Sequence, residues 1–327
     1  MIISNFNHTL SSYNMQQKVD IIHSIRIETS YVKCPSSLLQ LLTENYIQTN
    51  NDFITMKYKS GNTPLIKEKY FSQKFGLPNL FIKDESKNPF GTYKDRRSEA
   101  IMRKALDEHI DKLVLITSGN AGVSLAKFAN GSNLKVVCII DKKIPDQIYK
   151  KLVAVSHKVI RIDLSSHILK PEEVISLARE TDEEVIWDVT NGWHEAYENI
   201  IKEIKAGRPN FLITPVGSGE AFVGLFNGIK KYKLNTVLIG VAPKSNPSIA
   251  DKLHTPWTPY ASKMKSIFWR KHKIIKLSED AIKQAYSLAK KHIKCEPSSA
   301  IVFGVLPDLK IKKEDKIIVI NSGRGLL

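Results

Sequence analysis

Cysteine is scarce: three in 327 residues, none in a Cys-x-x-Cys pair or a cysteine–histidine cluster. Isolated thiols in odd number cannot build a disulfide framework, and their spacing suits no zinc site, so no metal is expected. Such usage fits a reducing, cytoplasmic setting. Cys138, inside Val136-Val137-Cys138-Ile139-Ile140, reads as a buried core thiol, whereas Cys34 and Cys295 stand alone. No apolar run approaches the ~20 residues needed to cross a membrane. Met1 to Leu10 lacks the basic start and continuous apolar core of a secretory signal. Internal repeats and low-complexity tracts are absent. Acidic residues are the scarcer charge, 33 against 49 basic, which leaves a formal net charge of +16. The paired cations Lys230-Lys231, Arg270-Lys271, Lys290-Lys291 and Lys312-Lys313 read first as solvated faces. A nucleic-acid surface, or a field that draws in anionic substrates, is the other meaning of such charge. No RNP motif, zinc finger or helix-turn-helix supports nucleic acid as a partner.

What the chain does have is alternation. Short β-branched runs at 80–83, 113–117, 135–140, 158–162, 184–187, 211–214, 236–242 and 316–321 predict strands. Amphipathic stretches at 93–109, 120–131, 146–156, 171–181, 194–206, 220–232 and 279–293 predict the helices between them. The order predicts an α/β protein whose parallel sheet is covered by helices on both faces. At 327 residues the chain is long enough for two lobes. An amphipathic helix is also predicted within 36–47, in an N-terminal extension covering 1–57.

Glycine-bearing turns fall at strand ends. Thr117-Ser118-Gly119 follows one strand, Pro215-Val216-Gly217 another and Ser322-Gly323 a third. Ligands in open α/β sheets bind at such carboxyl ends. Gly217-Ser218-Gly219-Glu220-Ala221 opens a helix, where backbone N–H groups and the helix dipole favour a phosphate. Ser118-Gly119-Asn120-Ala121-Gly122 makes a second anion-friendly turn, although Ser118 and Asn120 also suit plain helix capping. Asn88-Pro89-Phe90-Gly91-Thr92-Tyr93-Lys94-Asp95-Arg96-Arg97 is a turn feeding a helix. Lys94 then lies in the first helical turn, where the positive end of the dipole weakens its hold on a proton. A lysine that deprotonates easily suits Schiff-base chemistry.

Taken in order with Gly61-Asn62-Thr63-Pro64-Leu65 and Glu296-Pro297-Ser298-Ser299-Ala300, these motifs resemble the fold-type II pyridoxal-phosphate family. That family includes threonine synthase, cysteine synthase, serine/threonine dehydratases and the tryptophan synthase β chain, and the resemblance covers about residues 58 to 327. It implies two lobes, each a mostly parallel twisted sheet covered by helices, with a cofactor cleft between them. The large domain would comprise 58–84 and 166–327, and a small mobile domain 85–165. The cofactor implied is pyridoxal 5'-phosphate, joined to Lys94, which would then serve as base for the α-proton.

Gly217, Ser218, Gly219, Glu220 and Ala221 would hold the cofactor phosphate, Asn120 its phenolic oxygen and Ser322 its pyridine nitrogen. Glu220 departs from the glycine or other uncharged residue common in relatives. Thr117, Ser118, Gly119, Asn120 and Ala121 would receive the substrate carboxylate, and Lys83 an anionic group of the substrate. Asp95 and Arg96 would pin the helix.

Tyr93-Lys94-Asp95-Arg96, Cys295-Glu296-Pro297-Ser298 and Ser322-Gly323-Arg324-Gly325-Leu326 are similar to threonine synthase in particular. That implies a lyase acting by α-proton abstraction and β/γ elimination or replacement, on an amino acid with or without a phosphate. Phe90 replaces a small residue and predicts a reshaped pocket; Trp193 stands where an arginine-bearing loop is usual. A cysteine-synthase-like or dehydratase-like enzyme, and an inactive relative acting as a binding protein, are the alternatives. A homodimer is also implied.

Overall fold

The computed structural model describes residues 58–326, apart from 166–167, 256–257 and 269–270. The helix expected within 36–47 lies outside the described residues.

The described strands are β1 Leu65–Lys67, β2 Leu80–Asp84, β3 Lys112–Ile116, β4 Lys135–Asp141, β5 Lys158–Ile162, β6 Ile186–Asp188, β7 Phe211–Pro215, β8 Val237–Pro243, β9 Lys273–Leu277 and β10 Ile317–Asn321. The helices are α1 Lys69–Lys74, α2 Lys94–Asp107, α3 Asn120–Ala129, α4 Asp146–Val153, α5 Pro171–Ala178, α6 Glu198–Ile204, α7 Glu220–Lys231, α8 Ala261–Phe268, α9 Glu279–Ala289 and α10 Pro297–Ala300. Two sheets result, in the orders β1-β2-β10-β7-β8-β9 and β5-β4-β3-β6. Every pairing is parallel except that of β1 with β2.

The α/β architecture with helix-covered parallel sheets is therefore present. Its cause is visible in β10, where Ile317, Ile318, Val319 and Ile320 are all fully buried. A parallel strand covered on both faces has no side for polar residues, so it reads as an unbroken apolar run. Residues 186–188 pair as β6 with β3, so the smaller sheet draws on chain beyond residue 165.

Two strands and three helices, α1, α8 and the single-turn α10, escape the sequence pattern. In β1, Leu65, Ile66 and Lys67 are all exposed, so backbone pairing alone makes it a strand. Lys273-Ile274-Ile275-Lys276-Leu277 forms the opposite edge as β9. The helices α1 and α8 are short and bury few side chains. The stretch 194–206 divides into a 3₁₀ turn at His194–Tyr197 followed by α6.

The turn at 194–197 lies hard against α7. A Cβ on Gly224 would stand 2.0 Å from the His194 carbonyl oxygen and 3.0 Å from Tyr197 Cβ. Both neighbours are tied to backbone, so neither can swing aside. Gly224→Ala is expected to lower stability by about 1–3 kcal/mol or more, read by urea unfolding of the cofactor-free protein. An unchanged midpoint would contradict the close approach.

Candidate functional site

Antiparallel backbone contacts carry the Lys94 turn onto the loop after β10. The Tyr93 N–H donates to the Ser322 carbonyl at 2.8 Å, and the Arg324 N–H donates to the Gly91 carbonyl at 3.0 Å. Thr92 and Gly323 form a bridge between them. Lys94 and Ser322, distant in sequence, thereby become neighbours. Ser322 is fixed from its other side, because its N–H donates to Ser299 Oγ at 2.7 Å. Ser299 in turn donates to Asn321 at 2.6 Å. The Glu296-Pro297-Ser298-Ser299-Ala300 motif is thus a brace for the Ser322 turn.

Lys94 shares one cleft with Tyr93, the loop from Pro215 to Phe222, Lys252 and Leu253. The cleft has about 290 Å3 of empty space, counting what opens to solvent. Gly219 has φ +87°, a conformation that disfavours any side chain. The helix α7 starts at Glu220, so its first N–H groups have no carbonyl one turn back and face the loop. A larger basin, about 960 Å3 counted in the same way, is lined by Lys290, Lys291, His292, Lys294 and Arg324 and lacks Lys94 and the loop from Pro215 to Phe222.

Desolvation in the cleft lowers the Lys94 pKa to about 8, and the nearby Arg97 charge lowers it further, against the pull of Glu220 and Glu296. Burial, rather than the helix dipole invoked from sequence, is the leading cause. Glu296 is pushed up by its own burial, against a hydrogen bond from Asn120. Asn120 donates to Glu296 Oε1 at 2.8 Å, and its own Oδ1 is buried without a partner.

Asp95 holds the decapeptide in shape. Its carboxylate accepts from Phe90 N at 2.7 Å and from Ser124 Oγ at 2.6 Å, which ties the turn to α3. Burial pushes its pKa up to about 6 in spite of those bonds. Arg96 grips Glu85 through two bonds of 2.6 and 2.7 Å and Glu203 through bonds of 2.7 and 3.0 Å. The early Gly61-Asn62-Thr63 motif belongs to the same network: Asn62 N donates to Glu203 and Thr63 Oγ1 to Glu85.

Several expected site residues stand elsewhere. Lys83 is almost fully buried and donates to Glu203 Oε2 and the Thr63 carbonyl, both at 2.5 Å, so it belongs to the Arg96 network. Glu220 turns its carboxylate away from the loop it opens. One oxygen pairs with Arg97 at 3.0 Å; the other accepts from Trp193 N at 2.9 Å and from the Tyr260 hydroxyl at 3.1 Å. Only its main chain remains for a ligand in the cleft. The threat of a carboxylate beside a phosphate is removed by that buried pair. Phe90 does not line the cleft either; its ring packs 4.9 Å from Tyr58 and 5.1 Å from Phe128.

Thr117 Oγ1 accepts from Gly119 N at 3.0 Å and Gly122 N at 3.2 Å, which makes it the clasp of the α3 turn. Ser118 is exposed beside it, and Gly119 and Ala121 are buried. Arg97 and Glu296 were not legible as site residues. An arginine three positions after Lys94 shares its helix face, which is the one signal available for Arg97.

The sequence matches the pyridoxal-phosphate dependent enzymes over residues 56–323, and the chain belongs to that family. Its cofactor is pyridoxal 5'-phosphate. The chain is 28% identical over 201 residues to a cystathionine beta-synthase of Apis mellifera, covering 57% of this chain and 40% of that protein. It therefore spans less than half the length of that relative. Among solved structures, serine racemase of Dictyostelium discoideum has TM-score 0.67 at 20% identity, over 86% of this chain and 98% of that one. A threonine deaminase isoform of Solanum lycopersicum has TM-score 0.63 at 17% identity, over 86% and 90%. These two likenesses show the fold.

The residues present fit the cofactor. The buried Asn120 Oδ1 has no partner among the described residues and is open to one from a ligand, and an amide can turn to offer donor or acceptor. The Gly217–Ala221 loop gives a backbone cradle, and Lys94 gives an amine held near pH 8.

Proposed function

We propose that the chain removes the α-proton of an amino acid and expels or replaces a group at Cβ, with Lys94 as the catalytic residue. The carrying observation is the lowered Lys94 amine, in one cleft with the Gly217–Ala221 loop and stapled to the Ser322 turn. When bound, the cofactor draws off the electron pair left at the substrate's α-carbon.

Lys94 would hold the cofactor through its amine and, once displaced by substrate, take the α-proton on its Nζ. The first N–H groups of α7 and the loop Gly217, Ser218, Gly219 and Ala221 would bind the phosphate. Asn120 would orient the ring through its side-chain amide. Ser322 offers a hydroxyl where a carboxylate would keep the pyridine nitrogen protonated, which favours elimination and replacement over transamination. The exposed Ser118 and the backbone amides of the turn at 117–121 would bind the substrate carboxylate. Glu296, its charge felt by Lys94, would exchange protons with the cleft.

Activities named for the structural neighbours, a serine racemase and a threonine deaminase, support a substrate with a hydroxyl or activated oxygen at Cβ. A threonine-synthase-like reaction at Cγ is the second reading, favoured by the Tyr93-Lys94-Asp95-Arg96 run. A panel of serine, threonine, O-activated serines and a phosphorylated homoserine, each scored by the change in the cofactor's visible band, separates the two. Protein that is colourless and takes up no added pyridoxal phosphate would sink both and favour an inactive binding protein.

The pH dependence follows from the amine. Protonated Lys94 cannot attack an aldehyde, so cofactor uptake by the apo-protein should rise with pH through about 8 and level off above it. Stopped-flow absorbance across pH 6–10 reads this. A flat profile would contradict the lowered amine.

A further inference from the structure

Two lysines line the cleft, Lys94 and Lys252. Nothing in the family motifs reserves a place for the second, yet it is built in. Its N–H donates to Ser298 Oγ at 3.2 Å. Its peptide lies against the phosphate-loop glycine: a Cβ on Gly217 would come within 3.2 Å of Leu253 Cα and 3.3 Å of the Lys252 carbonyl oxygen. The Lys252 side chain is only 12% exposed, although its Nζ partner, Asp251 Oδ2 at 2.7 Å, is 53% exposed. Lys252 thus lines the cleft with its ammonium held by a carboxylate that solvent already screens.

A cation beside the loop would add to what the helix N-terminus offers a phosphate. A phosphate monoester carries about −1.5 to −2 near neutrality, whereas a helix N-terminus offers roughly +0.5. Arg97 cannot contribute, because its charge is matched by Glu220. Lys94 is committed to the other end of the cofactor in the proposed mechanism.

We propose that Lys252 is the charged ligand of the cofactor phosphate. On binding, its ammonium trades the half-exposed Asp251 carboxylate for a phosphate oxygen, at the mouth of the Gly217–Ala221 cradle. This rests on the assignment of that cradle to the phosphate.

The test compares pyridoxal phosphate with pyridoxal, which lacks the phosphate, on apo wild type, Lys252→Ala and Lys252→Arg, by equilibrium dialysis. Lys252→Ala should lose about tenfold or more in affinity for pyridoxal phosphate and nothing for pyridoxal. Lys252→Arg should keep most of the affinity, and the wild-type advantage should shrink at high salt. Unaltered pyridoxal binding also shows that the variant is folded. Equal losses for both ligands, or no loss for either, would overturn the proposal. Wild type that binds pyridoxal but gains nothing from the phosphate would instead overturn the cradle assignment, and the role of Lys252 with it.

Discussion

Lys94→Ala should lose turnover by about 10³-fold or more while retaining its fold. Two functions vanish with one amine: the bond to the cofactor and the acceptor for the α-proton. Lys252 is no substitute, since it stands at the Gly217 end of the cleft. Small primary amines added in solution should restore part of the rate, because the missing group is an amine and the rest of the wall is intact. Single-turnover absorbance with and without ethylamine measures both effects. A variant with near-native activity would remove Lys94 from the mechanism, and one that is inactive but beyond rescue would point to collapse of the cleft.

The second large effect falls on Glu220. Its carboxylate and Arg97 are side chains only 4% and 5% exposed. Deleting one member of such a pair strands the other, at about 3–5 kcal/mol. Glu220→Ala should therefore lower unfolding stability by that order, whereas an Arg97→Met, Glu220→Leu protein should recover much of the loss. The two changes also part company at the amine. Arg97 lowers the Lys94 pKa and Glu220 raises it, so Glu220→Ala should move the pH midpoint of cofactor uptake downward. A glycine at 220 should weaken cofactor binding here instead of improving it. Urea unfolding and the uptake profile test these outcomes; an unchanged stability for Glu220→Ala would deny the pair its structural role.

The covered strands were legible because burial on both faces writes itself into sequence. The β-branched run Ile317-Ile318-Val319-Ile320 reads as a covered strand, and the turns after β3, β7 and β10 were placed at the ends of such runs. The edges were not legible. The exposed Leu65-Ile66-Lys67 is made a strand by hydrogen bonds to β2, and backbone pairing leaves no residue signature. Lys94 and the loop at 217–221, both singled out by motif, line one cleft, and Ser322 is joined to the Lys94 turn through the Tyr93 N–H. The pairing of Lys83 was not legible, because sequence shows a charge at a strand end but not the Glu203 that pairs with it 120 positions later. Glu220 was misjudged for the same reason: its chemistry depends on Arg97, Trp193 and Tyr260, which no local pattern connects to it.

Arg96 and Arg97, side by side on α2, clamp three carboxylates, those of Glu85, Glu203 and Glu220, and the Val189 and Thr190 carbonyls just past β6. For protein engineering this makes the decapeptide 88–97 a poor portable cassette. Transplanted alone into another scaffold it would deliver a lysine and two unpartnered guanidiniums, each seeking counter-charge in foreign surroundings. A working graft has to bring Glu85, Glu203 and Glu220 with it, so the smallest transferable unit of this reactive amine is spread over more than a hundred residues of chain.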